Sequence, residues 1–528
     1  MKVKLVLTPY YFYNAFMPPL GLAIVSEALK RNNIEHDTDD LYIKLYHAVK
    51  LGRIKTDVFL DPYRVKNFVH GIFCDEIDKE TGKIMALTDF SGYDYVCFSS
   101  HFPPLDKVNS QAIAACLMRK IKEKYGPTIV ANFKLSSYED AGLIDFHTLR
   151  IDNFINFLRA RNKINPELPR VFLRPNFKGL PLGLYRYSRD TVISEFLPQA
   201  ARVSNLSRYR AIAKSLPLLL PYIFIDGCQY NCIFCEFSEN PGFKIKDYDE
   251  IVNDLKFLSR AYKTRDFFFL NSNINPTREV VRNFTDRILK GAVKINFTDC
   301  ATFNNLDEEI LVRLKDAGAV RLVIGLESAS LRLQRYVGKV INLDHASRML
   351  KMCYNLGIWA EIDLLIGLPF ESPSDVILTL EFIKDNYRYI RGVNLNRFLL
   401  KWQSLMYKFS AKYGIINIRP DRNLNFAYDE DNGMKWDTKK KLMEYRYSRF
   451  LACLDRNKVD YFRPVQFVFA LNRQFKDPRL MNKYLDKTFF ADRSWKGKID
   501  GFINELNSGE DMVKAGVNDS TIRRRQRA

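Results

Sequence analysis

No stretch of this 528-residue chain stays apolar long enough to cross a bilayer. The longest run, Leu216-Pro-Leu-Leu-Leu-Pro-Tyr-Ile-Phe-Ile225, is short and broken by two prolines. The N-terminus, Met1-Lys-Val-Lys, lacks the pattern of a signal peptide and passes straight into strand-like sequence. A disulfide framework is lacking too. Of nine cysteines, Cys74, Cys97, Cys116, Cys300, Cys353 and Cys453 are scattered among mostly apolar neighbours, as buried thiols in a reducing compartment are. A cytoplasmic location is the expectation. The composition also excludes disorder, with 47% hydrophobic and 27% charged residues.

A chain of this length exceeds one ordinary core, so two to four domains are expected. The formal net charge of +20 fits an acidic partner, such as nucleic acid or an anionic substrate, and equally a basic solvated surface. Part of the excess lies in the tail Arg523-Arg-Arg-Gln-Arg527.

In the first third, Val3–Leu7, Tyr95–Ser99 and Thr128–Ala131 read as strands. Helices are expected from Leu22, stopped by Asn32-Asn33, and from Val108 to Tyr125, while residues 34–90 show no single period. Strand, helix and strand with short connections predict a doubly wound parallel sheet, a Rossmann-like α/β domain. Ligands of such sheets sit beyond the carboxyl ends of the strands. That places Thr8-Pro-Tyr-Tyr, Ser99-Ser-His101 and Asn132-Phe-Lys134 along one crevice.

From residue 221 the alternation is regular. Strands are expected at Pro221–Ile225, Phe267–Leu270, Ile295–Phe297, Val320–Ile324, Ile362–Ile366 and Val393–Leu400, with helices capped by Asp247, Thr277, Asp307, Asp344 and Ser372 between them. Eight such units would close a barrel, so six predict a partial one, with chemistry at the carboxyl ends of its strands. Those ends are polar: Asp226-Gly227, Asn271-Ser-Asn273, Thr298-Asp-Cys300, Gly325-Leu-Glu-Ser328 and Gly367-Leu-Pro369.

At the first of these ends stands Asp226-Gly-Cys-Gln-Tyr-Asn-Cys-Ile-Phe-Cys235, with thiols at Cys228, Cys232 and Cys235. Three thiolates around a four-iron cubane leave one iron unligated by protein and open to a substrate or cofactor. A structural zinc site is the other reading of the thiols. It needs a fourth ligand, and no further Cys or His lies within loop distance.

The spacing of Cys228, Cys232 and Cys235, with Phe234 before the third, resembles the signature of the radical S-adenosylmethionine (radical SAM) superfamily. Gly325-Leu-Glu-Ser-Ala-Ser330 with Gly338-Lys339, Ile366-Gly-Leu-Pro-Phe-Glu371, and Gln403-Ser-Leu-Met-Tyr407 with Tyr413-Gly-Ile415 resemble its segments after the fourth, fifth and sixth strands. The resemblance covers about residues 215–415. It implies a [4Fe-4S] cluster on the three cysteines, with S-adenosyl-L-methionine on the fourth iron. One electron, from a donor such as flavodoxin or ferredoxin, then yields a 5′-deoxyadenosyl radical. The resemblance further implies that Phe234 packs near the adenine and that Glu327 and Ser328 bond the ribose or the methionyl amine. Asn271, Ser272 and Gly367 border the same cofactor. The other reading makes Glu327, Asn271 and Ser272 structural groups.

Pro18-Pro-Leu-Gly-Leu-Ala23, the helix after it and Tyr93–Ser99 are similar to the cobalamin-binding domain that precedes many radical SAM cores. This implies cobalamin bordered by Pro19, Leu20, Ser99, Ser100 and His101. The Asp-x-His-x-x-Gly motif of a lower histidine ligand is absent. Ala131-Asn132 stands where Gly-Gly is usual, and Thr148-Leu-Arg-Ile-Asp152 where Gly-Glu-Gly-Glu is. The expected organisation is a cobalamin-binding-like domain at 1–155, a linker at 156–214, the core barrel at 215–415 and a mainly helical region at 416–528 that shapes the substrate pocket. The expected activity is that of an anaerobic, cobalamin-dependent methyltransferase acting on an unactivated carbon of a small molecule or peptide, with no catalytic side chain assigned. A radical rearrangement, cyclisation or oxidation without cobalamin is the alternative, and a non-catalytic iron–sulfur or metal-binding protein a third.

Overall fold

The computed structural model describes residues 1–8, 17–99, 108–133, 135, 138–148, 150–162, 172–185, 216–238, 242–421, 426–454, 458, 465–488, 490 and 494–517. The chain divides into two units, residues 1–186 with 220–222, and residues 187–219 with 223–528.

The first unit is built on strands β1 (Lys2–Leu7), β2 (Glu35–Asp40), β3 (Tyr95–Ser99), β4 (Thr128–Ala131) and β5 (Phe146–His147). They form one parallel sheet in the order β2-β1-β3-β4-β5. The expected doubly wound domain is present, and its topology reverses between β1 and β3. The buried Val3, Leu5, Val96, Phe98 and Ile129 join helix residues such as Leu29, Leu117 and Ile121 in one core. Two features were not legible in sequence. One is β2, whose residues Glu-His-Asp-Thr-Asp-Asp carry no apolar alternation. It is a strand because β1 pairs with it along its whole length, and its acids find partners: Lys44 pairs with Asp39 at 2.5 Å, and Tyr93 donates to Asp37 at 2.6 Å. The other is the helix Ile151–Asn162, which falls in a stretch expected as domain end and linker.

The second unit contains five strands of a six-stranded sheet whose order follows the chain. Its strands are β6 (Leu219–Tyr222), β9 (Asp266–Phe269), β10 (Asn296–Thr302), β11 (Ala319–Glu327), β12 (Trp359–Ile366) and β13 (Gly392–Arg397). β9 to β13 pair in parallel, each joined to the next through helix. This is the expected partial βα barrel. Asp247, Thr277, Asp307 and Ser372 cap their helices through the side chain, and Ser372 with Asp375 forms a reciprocal capping box. One cap differs. Asn342, not Asp344, accepts from His345 N at 2.9 Å, so the helix Leu343–Leu356 starts earlier and Asp344 lies in its first turn.

The strand expected at Pro221–Ile225 is two strands. Leu219–Tyr222 stays in the sheet, whereas β7 (Ile225–Cys228) turns away to pair antiparallel with β8 (Gly242–Ile245). The first cysteine therefore ends a hairpin strand and not a free loop. Beyond the barrel come the hairpin β14 (Ile415–Pro420) and β15 (Phe426–Glu430), then helices at Trp436–Cys453, Val465–Gln474, Pro478–Thr488 and Trp495–Ser508. Arg473 donates to Asp266 at the first residue of β9, so helix Val465–Gln474 lies against the amino end of the sheet, opposite the mouth. Among the described residues no helix is long and apolar enough to cross a membrane.

Candidate functional site

The cysteine stretch is held from two sides. On one side Ser272 Oγ donates to the Gly227 carbonyl, Gln229 Nε2 donates to the Pro276 carbonyl, and Asn305 Nδ2 reaches the Tyr230 hydroxyl at 2.7 Å. On the other, Ile233 N donates to Val337 O at 3.0 Å, Met406 N to Ile233 O at 2.9 Å, and Leu405 N to Ser238 Oγ at 3.1 Å. Gly227 and Gly338 have positive φ. A side chain on Gly227 would overlap the Gly242 carbonyl, and one on Gly338 would stand 3.1 Å from Asn231 O. Beyond Cys228 the loop is thus shaped by its neighbours.

All three thiols are free, Cys232 buried and Cys228 and Cys235 partly so, and they lie within electrostatic reach of one another. Burial pushes the Cys232 thiol up to about 11 and raises Cys235 as well. As thiolates they need cationic partners, which the irons of a cluster supply. Among the described residues no three Cys, His, Asp or Glu side chains converge tightly enough to hold a single metal ion. Three thiols with no fourth Cys or His nearby in the chain suit a four-iron cubane that leaves one iron open, so this donor set fits the cluster.

Beside the thiols lies a pair that sequence reading did not join. Glu327 ends β11 at a bulge with φ +61, and Lys339 Nζ meets its Oε1 at 2.8 Å, with side-chain exposures of 12% and 14%. The Glu327 carboxylate offsets the burial of Lys339 and holds its ammonium above the ordinary value. A side chain at Gly325 would collide with both groups. Register places Gly325, Asp363 and Asn394 in one row across the sheet, with Cys300, Val323 and Glu361 in the row below. Asp363 Oδ1 accepts from Asn394 Nδ2 at 2.7 Å and Asn396 Nδ2 at 3.1 Å, and burial beside Glu327 pushes its carboxyl up to about 7. Below, Arg321 reaches Glu361 and Thr298, and Trp359 Nε1 donates to Glu361 at 2.7 Å. Asp363 and the two asparagines went unnoticed in sequence. The signal was the alternation of polar residues along β12 and β13, each at period two.

The remaining candidates divide. Phe234 is half-buried against a cluster that includes Ile233, Leu333, Val337 and Met406. Asn271 is buried, its Oδ1 accepting from Phe224 N at 2.9 Å and Ile225 N at 2.8 Å while its Nδ2 donates to Asp299 at 2.7 Å. Ser272 braces Gly227. Both therefore carry structural bonds to the segment leading into the cysteines. Ser328 is buried too, its hydroxyl within 3.3 Å of Thr379 Oγ1 and accepting from Ser330 N. Gly367 has φ +87 and donates its N–H to Glu371 Oε2 at 3.1 Å.

In the first unit Ser99 ends β3 at the switch point. Its carbonyl accepts from Thr8 N and Oγ1, each at 2.8 Å, and Asn132 Nδ2 donates to its hydroxyl at 3.3 Å. Pro19 precedes helix Leu20–Arg31, whose first turn no side chain caps. Ser100 and His101 lie outside the described residues.

Residues 222–383 match the family model of the radical SAM superfamily. An uncharacterized methyltransferase of Pyrococcus horikoshii is 26% identical over 228 residues, 43% of this chain and 45% of its own length. The anaerobic magnesium-protoporphyrin IX monomethyl ester cyclase of Rubrivivax gelatinosus is 22% identical over 176 residues, 32% of this chain and 30% of its own. The chain thus spans less than half the length of these relatives. Among solved structures, the radical S-adenosylmethionine methyltransferase TsrM of Kitasatospora setae, with cobalamin and a [4Fe-4S] cluster bound, has 12% identity and a TM-score of 0.51 over 96% of this chain and 99% of its own. The cobalamin-dependent radical enzyme OxsB, with aqua-cobalamin and S-adenosylmethionine bound, has 14% identity and a TM-score of 0.52 over 98% and 81%. At such identities the likeness is one of fold: a Rossmann-like domain, a radical SAM barrel and a helical C-terminal region.

Proposed function

We propose that this protein, whose residues 222–383 carry a radical SAM domain, is a cobalamin-dependent methyltransferase acting on an unactivated carbon. The observation that carries the radical part is the placement of Cys228, Cys232 and Cys235 at the barrel mouth, on a loop pinned from both sides and next to the Glu327–Lys339 pair. Cys228, Cys232 and Cys235 would hold three irons of a [4Fe-4S] cluster. When bound, the cluster and S-adenosylmethionine supply a 5′-deoxyadenosyl radical by one-electron cleavage of a carbon–sulfur bond. Glu327, paired with Lys339 at the mouth, would accept hydrogen bonds from the amine or ribose of the nucleoside. Phe234 offers an apolar face beside the thiols. Asn271, Ser272 and Ser328 hold the strand ends that shape the mouth.

Support for cobalamin is a sheet that reverses at the ends of β1 and β3, and a fold shared with proteins that bind it. Thr8, Ser99, Pro19 and Leu20 would border it, and no histidine of the lower-ligand motif is offered. The buried Ala131, in place of the usual glycine, favours the second reading, radical chemistry without cobalamin. Anaerobic reconstitution with iron, sulfide and cobalamin, then S-adenosylmethionine and a strong reductant, is the test. Deoxyadenosine with cobalamin retained on the protein is expected. Absence of deoxyadenosine sinks the radical reading, and deoxyadenosine from protein that never retains cobalamin moves the assignment to the second.

A further inference from the structure

Behind the turn that follows β12 lies a buried ionic network contributed largely by the C-terminal segment. Glu371 Oε2 accepts the Gly367 N–H and stands 3.7 Å from Arg446 Nη1. Arg446 in turn donates through Nε and Nη2 to Asp511 Oδ2, at 2.9 and 2.7 Å. Side-chain exposures are 5% for Glu371, 4% for Arg446 and 0% for Asp511. Lys439, on the same helix as Arg446, donates to the Leu368 carbonyl at 2.8 Å and pairs with the buried Glu430. That helix also presses on the turn, since a Cβ on Gly367 would come within 2.6 Å of Met443 Cγ and Sδ. The Gly367 N–H and the Leu368 C=O are therefore both fixed by this network. An ionic network this deeply buried is held in one arrangement, because breaking one member strands the others in a poorly solvating interior.

We infer that Asp511, Arg446 and Glu371 are positioning residues through which the C-terminal segment sets the Gly367 turn, and thereby the affinity for S-adenosylmethionine, although none needs to touch it. This rests on the radical SAM reading above. The test uses the full chain with its cluster reconstituted. Equilibrium binding of S-adenosylmethionine is measured by calorimetry, and by the change it causes in the electron paramagnetic resonance of the reduced cluster. Arg446→Met is expected to weaken binding tenfold or more with iron and sulfide content unchanged, and Arg446→Lys to recover most of the loss. Asp511→Asn, which keeps volume and an acceptor oxygen, is expected to weaken it by a smaller factor. Wild-type affinity in a folded Arg446→Met protein overturns the inference. Failure of both Arg446→Met and Asp511→Asn to fold also overturns it, since the network is then a stability device. If the wild-type chain itself binds no S-adenosylmethionine, the functional reading fails instead.

Discussion

Replacing Gly227, which immediately precedes Cys228, with alanine should damage the cysteine loop. Gly227 has φ +88, a conformation that costs an L-residue about 1–2 kcal/mol. The added methyl would also overlap the Gly242 carbonyl oxygen and stand 3.3 Å from Phe243 Cα. These are backbone atoms that cannot rotate aside, because the pairing of Cys228 with Gly242 and Gly227 with Phe243 fixes them. Ser272 holds the residue from the other side through its carbonyl. Relief requires opening the β7–β8 hairpin, an overpacking cost of about 1–3 kcal/mol, for a total of roughly 2–5 kcal/mol. Gly433 is the control: its φ is +92, but nothing stands within 4 Å of a methyl placed there, so Gly433→Ala should cost only the conformational part, roughly 1–2 kcal/mol. Urea unfolding gives the energies, and iron per chain after anaerobic reconstitution gives the local effect. Gly227→Ala should lose stability and most of its iron, and Gly433→Ala should keep its iron. Equal destabilisation of the two variants, with full iron in both, would refute the argument from close approach.

Cys232→Ala should abolish cluster assembly, and a normal cluster spectrum in that variant would show the ligands to be misassigned. Lys339→Met should leave Glu327 largely buried and unpaired, at a cost of about 3 kcal/mol in denaturant unfolding; a loss below about 1 kcal/mol would mean that water or another donor replaces the ammonium. Burial pushes the Asp40 carboxyl up to about 7 from an ordinary 3.8, while Ile43 N and the Tyr185 hydroxyl donate to it. Between those pH values the folded chain keeps a proton that the unfolded chain has lost, so this group's contribution to stability falls as pH rises from about 4 to about 7 and is level above, by up to about 4 kcal/mol. Asp40→Asn, which can still accept from Ile43, should remove that slope. Its melting advantage over the parent should grow from pH 5 to pH 7.5, and parallel melting curves would contradict the assignment.

Much of the architecture followed from local pattern. Val108–Tyr125 and Thr128–Ala131 have their expected bounds because helix and strand periods there are unbroken and Gly126-Pro127 separates them. The polar strand ends of the barrel were likewise readable, since each directly follows an apolar strand run in the sequence. Edges failed where a partner decides. β10 is seven residues long and not three, since β11 pairs with it as far as Thr302. β2 has a polar sequence that only β1 makes a strand.

The sequence by itself determined the thiol spacing, the absence of a fourth ligand nearby and the six βα units, because each depends on residues close together in the chain or on a repeating period. Tertiary structure alone decided the partners. Glu327 is held by Lys339, Asp363 by two asparagines of the next strand, and Asn271 joins Asp299 to the approach of the cysteine loop. Arg446 reaches Asp511 from 65 residues away. Such pairs are set by strand register and by which helix crosses behind a turn, and neither leaves a trace in local composition.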